Sequence, residues 1–163
     1  MYTVGIITSS DKGYAGERED KSGEVIKKIV EEAGFEVKRQ VVLPDEKEML
    51  KKEFVYMSDE LNLNLILSTG GTGFSKRDIT PEATKDIIER EAPGICEAIR
   101  MLSMQITKRA MLSRAVSGIR GNTLIVNLPG SPKACEEALD FVLGELKHGI
   151  GILLGEAKEC ARK

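Results

Sequence analysis

Asn64-Leu65-Ile66-Leu67-Ser68-Thr69-Gly70-Gly71-Thr72-Gly73 is a short apolar run that empties directly onto a glycine-rich turn. The run has the length and character of a strand. The turn lacks side chains at Gly70, Gly71 and Gly73, which lets the backbone approach another group closely. Downstream, Thr80-Pro81-Glu82 opens a helix, with the threonine as N-cap and the proline at the first helical position. Upstream, Tyr2 to Thr8 is apolar and β-branched and stops at Ser9-Ser10-Asp11. That is the form of a buried parallel strand followed by a loop, which Gly13 and Gly16 keep flexible.

Between these two strands, Val25, Ile26, Ile29 and Val30 recur at helical spacing from about Lys21 to Ala33, and Gly34 follows as a stop signal. Phe35 to Leu43 reads as a second strand, ended by Pro44-Asp45 ahead of a helical stretch from Glu46 to about Leu61. Beyond the glycine turn and its helix, another helix starts near Pro93 and carries Met101, Leu102 and Ile106. Leu112 to Ile119 and Thr123 to Leu128 pair as a hairpin around Arg120-Gly121-Asn122. Pro129-Gly130-Ser131-Pro132 then breaks the chain and starts the final helix. No repeat, low-complexity tract or linker interrupts the pattern, so residues 1–163 are expected to form a single three-layer α/β domain.

Composition excludes several function classes. Apolar residues make up 41% of the chain and charged residues 31%, the balance of a globular protein with a solvated surface. The 24 basic and 26 acidic residues leave a formal net charge of -2, so no global field favours nucleic acid or an anionic membrane. The start of the chain lacks the basic, apolar and small-residue segments of a signal peptide, and no stretch reaches the ~18 apolar residues of a membrane span. A cytoplasmic protein is expected. Cys96, Cys135 and Cys160 form no C-x-x-C pair and read as core or helix-face residues in a reducing compartment. His148, the lone histidine, falls in the last helix and reads as a partly solvated residue.

With right-handed connections and strand one between strands two and three, the loops after all three emerge at one sheet edge. Ser9 to Asp11, Asp45 and the glycine turn leading to Arg77-Asp78 then converge. Glycine amides suit phosphate oxygens, and two carboxylates suit Mg²⁺. Gly-Gly-Thr-Gly alone is neither a Walker A sequence nor a dinucleotide fingerprint and by itself reads first as a tight strand-to-helix turn. Asp45 could be a helix N-cap, and Asp78 a partner of the Thr80 helix dipole. Pro129 to Pro132 could cap a helix, or offer an anion the free amides and the Lys133 charge. Arg77 reads equally as a phosphate ligand or a surface charge.

Taken together, Thr69-Gly70-Gly71-Thr72-Gly73 followed by Arg77-Asp78-Ile79-Thr80-Pro81-Glu82-Ala83-Thr84 resembles the signature of the molybdopterin-binding MogA/MoaB family. Ser9-Ser10-Asp11, Val42-Leu43-Pro44-Asp45-Glu46 and Gly118-Ile119-Arg120-Gly121 resemble further elements of that family in order. So does Asn127-Leu128-Pro129-Gly130-Ser131-Pro132. The resemblance runs from about residue 3 to residue 154. One departure is Asn122, where many relatives carry serine.

The resemblance implies an α/β/α sandwich with a mixed, mostly parallel five-stranded sheet. It also implies transfer of AMP from Mg-ATP to molybdopterin with release of pyrophosphate. Asp45 and Asp78 match the two acidic positions used in catalysis and are the candidate ligands of Mg²⁺. Ser9, Asp11, Thr69, Gly70, Gly71, Thr72, Gly73, Ser75, Arg77, Gly130, Ser131 and Lys133 are the matching candidates for molybdopterin and nucleotide binding. A homotrimer or homohexamer is implied, with a molybdenum-insertion enzyme as a further partner. A molybdopterin-binding homologue with little catalysis, a tungsten pathway, and an oligomeric scaffold remain the alternatives.

Overall fold

The computed structural model describes residues 1–156. The elements in chain order are β1 (Thr3–Ser9), α1 (Asp11–Tyr14), α2 (Lys21–Glu32), β2 (Glu36–Leu43), α3 (Lys47–Val55) and β3 (Leu65–Thr69). They continue with α4 (Thr80–Ile87), β4 (Arg90–Glu91), α5 (Gly94–Met104), β5 (Ser117–Arg120), β6 (Thr123–Leu128) and α6 (Pro132–Leu153). The sheet runs β2-β1-β3-β6-β5-β4. The first four of these are mutually parallel, and β5 and β4 close one side antiparallel. β1 therefore lies between β2 and β3, which with parallel pairing brings the loops after all three to one edge.

Alternation along the strands divides the core between two faces. Val4, Ile6, Leu65, Leu67 and Val126 join Ile26, Val30, Ile99 and Leu139 from α2, α5 and α6. Ile7, Ile66 and Ile125 turn the other way onto Leu50 and Phe54 of α3 and Ala83 and Ile87 of α4. Parallel strands buried on both faces read as continuous apolar runs, which is why their sequences announced them. Among the described residues no helix is long and apolar enough to cross a membrane.

The sheet has six strands where five were expected, because Arg90 and Glu91 pair with Ile119 and Gly118 as a short edge strand. Two charged residues carry no hydropathy pattern that could reveal it. The loop after β1 is not simply flexible: Gly13 lies inside α1, whose N-cap Ser10 accepts a hydrogen bond from the Gly13 amide. The stretch from Glu46 to Leu61 divides into α3 and a wide π-type turn over Tyr56–Glu60. Leu112 ends a short 3₁₀ turn, so β5 begins at Ser117. α5 ends at Met104, leaving Ile106 outside it. Thr80 is not the N-cap of α4: Ile79 holds that position, Thr80 is the first helical residue, and its hydroxyl donates to the Gly70 carbonyl at 2.9 Å. Cys96 and Cys135 are buried in the core as expected, while Cys160 lies outside the described residues.

One buried polar network ties the sheet to α4. Asn127 is 0% exposed. Its amide nitrogen donates to the hydroxyls of Ser68 and Thr84, both at 2.9 Å, and its Oδ1 accepts from the Val116 amide at 3.0 Å. Thr84 in turn donates to the Thr80 carbonyl at 2.8 Å. Asn127→Leu removes all three Asn127 bonds and leaves their partners enclosed. We expect a loss of roughly 2–4 kcal/mol, read as a lower midpoint in urea at an unchanged slope.

Candidate functional site

Parallel strands place their carboxyl ends at one edge, and here Leu43, Ser9, Thr69 and Leu128 end together. At that edge Gly70 (φ 87°) and Gly71 (φ 71°) turn the chain in the left-handed region, where side chains are strained. Space forbids them as well. A Cβ on Gly70 would come within 2.4 Å of the Ser9 carbonyl oxygen, and one on Gly71 within 2.4 Å of Thr80 Oγ1. The backbone of β3 is thus pressed against the end of β1, and the Thr80 amide holds the Gly71 carbonyl at 3.1 Å.

Asp45 reaches this turn from the end of β2. Its Oδ1 accepts from the Ser9 hydroxyl at 2.6 Å and its Oδ2 from the Asp11 amide at 3.1 Å. The Asp45 amide donates to Asp11 Oδ1 at 3.0 Å, so the two aspartates clasp each other's backbone. Asp45 is not a helix N-cap: α3 begins after Glu46, which makes no side-chain cap. Asp78 folds back from the other end of the glycine loop. Its Oδ2 accepts from the Ser75 amide at 2.9 Å and would meet a Cβ on Gly73 at 2.9 Å.

Asp45 and Asp78 line one cleft of about 810 Å³ together with Ser9, Thr69, Gly70, Gly71, Gly130 and Ser131. Two helix N-termini open onto it. Ser131 caps α6 by accepting from the Ala134 amide at 3.2 Å, and Asp20 caps α2 by accepting from the Gly23 amide at 2.9 Å. The segment therefore caps α6 through Ser131, and Gly130, Ser131 and Pro132 also line the cleft. Strand β1 anchors Asp20 through the Thr8 hydroxyl at 2.9 Å, and the Ser22 hydroxyl donates to the Gly130 carbonyl at 2.8 Å.

Asp11, Thr72, Gly73, Ser75, Arg77 and Lys133 stand outside the cleft lining. Arg77 is an exposed surface charge held in ion pairs: its guanidinium holds Asp11 through Nε at 3.0 Å and Nη2 at 2.9 Å, and Glu46 at 3.1 Å. That guanidinium, with the Asp45 amide, keeps the Asp11 carboxyl below the usual aspartate range. Asn122 turns the β5–β6 hairpin at the start of β6, the opposite edge of the sheet, so its difference from serine does not reach the cleft. Burial pushes the Cys135 thiol up to about 11, leaving it a packed neutral group.

Sequence reading missed Arg18, Asp20, Lys21 and Ser22, which line the cleft. Asp20 carried a cap signal, an acidic residue just ahead of an amphipathic helix. Nothing local said that this helix start faces the ends of β1 and β6.

Comparison with known proteins agrees with this geometry. The model of the family described as "Probable molybdopterin binding domain" matches residues 5–148. A molybdopterin adenylyltransferase of Helicobacter pylori strain J99 is 37% identical, with 98% of this chain and 92% of that protein covered. The molybdenum cofactor synthesis protein cinnamon of Drosophila melanogaster is 40% identical over 99% of this chain, which spans 27% of that longer protein. The crystal structure of the molybdopterin biosynthesis enzyme MoaB from Thermus thermophilus superposes with a TM-score of 0.89 at 45% identity, covering 98% of this chain and 100% of that one. A chain matched by this family model over residues 5–148 belongs to this family of molybdopterin-binding domains.

Proposed function

We propose that the protein transfers AMP from ATP to the terminal phosphate of molybdopterin, releasing pyrophosphate, and that residues 1–163 act as one domain in doing so. The observation that carries this reading is the meeting of Asp45, Asp78 and the Gly70-Gly71 turn around a single opening. The named activity of the Helicobacter relative supports it. In the reaction a phosphate oxygen of molybdopterin forms a bond to the α-phosphorus of ATP, and the bond from that phosphorus to the bridging oxygen breaks. The substrate supplies the nucleophile, so the protein's work is positioning and charge.

The charges of the cleft suit a metal-nucleotide complex better than a bare anion. Glu19, Asp20, Asp45 and Asp78 outnumber Arg18 and Lys21 along its walls. Phosphates fit against the N-terminal ends of α2 and α6 and the glycine turn, where the helix dipoles favour an anion. Among the described residues no group of three or more His, Cys, Asp or Glu could hold a metal by itself. Asp45 and Asp78 fit an ion whose remaining ligands are phosphate oxygens and water, the habit of Mg²⁺. That ion would offset charge building on the departing pyrophosphate. The assigned residues then divide the work: Asp45, fixed by Ser9 and Asp11, and Asp78, fixed by the Ser75 amide, present oxygens. Gly70, Gly71 and Ser131 present donors, and Thr69, Thr72, Gly73, Gly130 and Lys133 shape the surroundings.

The proposed setting is the cytoplasm, where ATP is plentiful and the unpaired thiols of Cys96 and Cys135 are stable. The proposed assembly is a trimer or hexamer. An apolar groove of about 550 Å³ between α5 and α6 includes Ile95, Ala98 and Val142, with Phe141 55% exposed at its side. Light scattering should give three or six times the 17.9 kDa chain mass, and Phe141→Asp should lower it.

The deciding experiment incubates purified protein with molybdopterin, Mg²⁺ and ATP and looks for adenylylated pterin by mass spectrometry. Its absence from a folded sample that binds the pterin would leave a binding protein. With turnover established, Asp45→Asn and Asp78→Asn should each lower kcat by ~100-fold or more with KM for ATP little changed. Normal turnover in Asp78→Asn would overturn the assignment.

Acid tests the rim. Because Arg77 lowers the Asp11 pKa, the clasp contributes fully above the ordinary aspartate value of about 3.9. It drains away as pH falls further, through the lowered value in the folded chain. The stability difference between wild type and Asp11→Asn should therefore be flat above about pH 4 and narrow below it, as urea titrations at stepped pH would read.

A further inference from the structure

Arg114 stands on the segment before β5, far in sequence from the glycine loop, and lies outside the lining of the cleft. Yet it holds that loop at both ends. Its backbone amide donates to the Thr72 carbonyl at 2.8 Å. Its Nε donates to the Gly73 carbonyl at 2.8 Å and its Nη2 to the Asp78 carbonyl at 2.9 Å. Its Nη1 pairs with Glu82 Oε1 in the first turn of α4, and Glu82 Oε2 is enclosed with no hydrogen-bond partner among the described residues. A guanidinium carries five N–H donors in one rigid plane, so a single side chain can fix several acceptors at set angles.

The loop between β3 and α4 needs such a brace. Phe74, Ser75, Lys76 and Arg77 are all exposed; within this span Asp78 and Ser75 exchange amide-to-Oδ2 and amide-to-carbonyl bonds of 2.9 and 3.0 Å, and Arg77 ties it outward to Asp11 and Glu46, but neither tie fixes the Gly73 carbonyl. Asp78 lines the cleft, and its own carbonyl and that of Gly73 are the two side-chain acceptors of Arg114, so the guanidinium fixes the backbone that carries the Asp78 carboxylate.

We propose that Arg114 is a positioning residue that sets Asp78 for the reaction by clamping both ends of the glycine loop. The catalytic half of this inference rests on the adenylylation reading; the clamp itself does not. A merely structural arginine would stabilise α4 through Glu82 and leave the loop and its chemistry as they are. Lysine keeps the charge beside Glu82 but cannot span two carbonyls, and Glu82→Gln keeps the carbonyl clamp while removing the ion pair.

The test uses the full chain with two readouts. Amide hydrogen exchange at Ser75, Asp78 and Thr80 should speed up about tenfold or more in Arg114→Lys, with Leu65 to Ser68 in β3 unchanged. In turnover with Mg-ATP and molybdopterin, kcat should fall roughly 10- to 100-fold while KM for ATP stays within about threefold. Arg114→Met should do the same or more, and if it fails to fold the lysine variant decides. Glu82→Gln should keep wild-type loop exchange and kcat. Wild-type loop exchange in Arg114→Lys overturns the clamp, and Glu82→Gln reproducing the lysine variant's losses assigns Arg114 to α4 and overturns it too. Should wild-type protein show no adenylylation, that reading falls while the exchange data still decide the clamp.

Discussion

Gly70 lies so close to the Ser9 carbonyl that no larger residue fits between them. That approach sets how the end of β3 meets the end of β1, and the neighbouring contacts assume it. Thr80 grips the Gly70 and Gly71 carbonyls from the start of α4, and Thr80 is backed by Thr84, which is backed by Asn127 on β6. A chain of buried hydrogen bonds therefore runs from the middle of the sheet to the turn. Buried polar networks of this kind are costly when incomplete and rigid when satisfied. This one is satisfied, and it delivers its rigidity at the opening where the cleft lies.

The fold was legible wherever burial wrote a pattern. Parallel strands covered on both faces gave unbroken apolar runs at Tyr2 to Thr8 and Leu65 to Thr69, and α2 gave a clear amphipathic period. Elements held by a few contacts left no such mark. Arg90 and Glu91 became a strand only because β5 offered its edge, and Ser10 to Tyr14 became a helical turn through a local cap. Thr80 follows the glycine turn and not the helix end, because its hydroxyl donates to the Gly70 carbonyl while Ile79 takes the N-cap position.

The cleft was legible in a different way. Asp45, Asp78 and Gly70-Gly71 were found through motif order, and the sheet topology explains their meeting, since each follows a parallel strand whose end lies at the same edge. Asp20, Ser22 and Arg114 were not found. They act by reaching across the fold to Thr8, Gly130 and the glycine loop, and a distance in space has no counterpart in local spacing. Arg77 shows the converse: a conspicuous cation beside a candidate site turned out to be bound by Asp11 and Glu46.

The two outermost strands carry a consequence of their own. β4 is a pair of exposed charged residues, and β2 begins Glu36-Val37-Lys38-Arg39 on the opposite border, with Lys38 paired to Glu36 and Arg39 to Glu53. Charged side chains along a border discourage another backbone from docking there strand to strand. Edge-to-edge growth of one sheet onto the next, the route to fibres, is thereby disfavoured from both sides of the molecule.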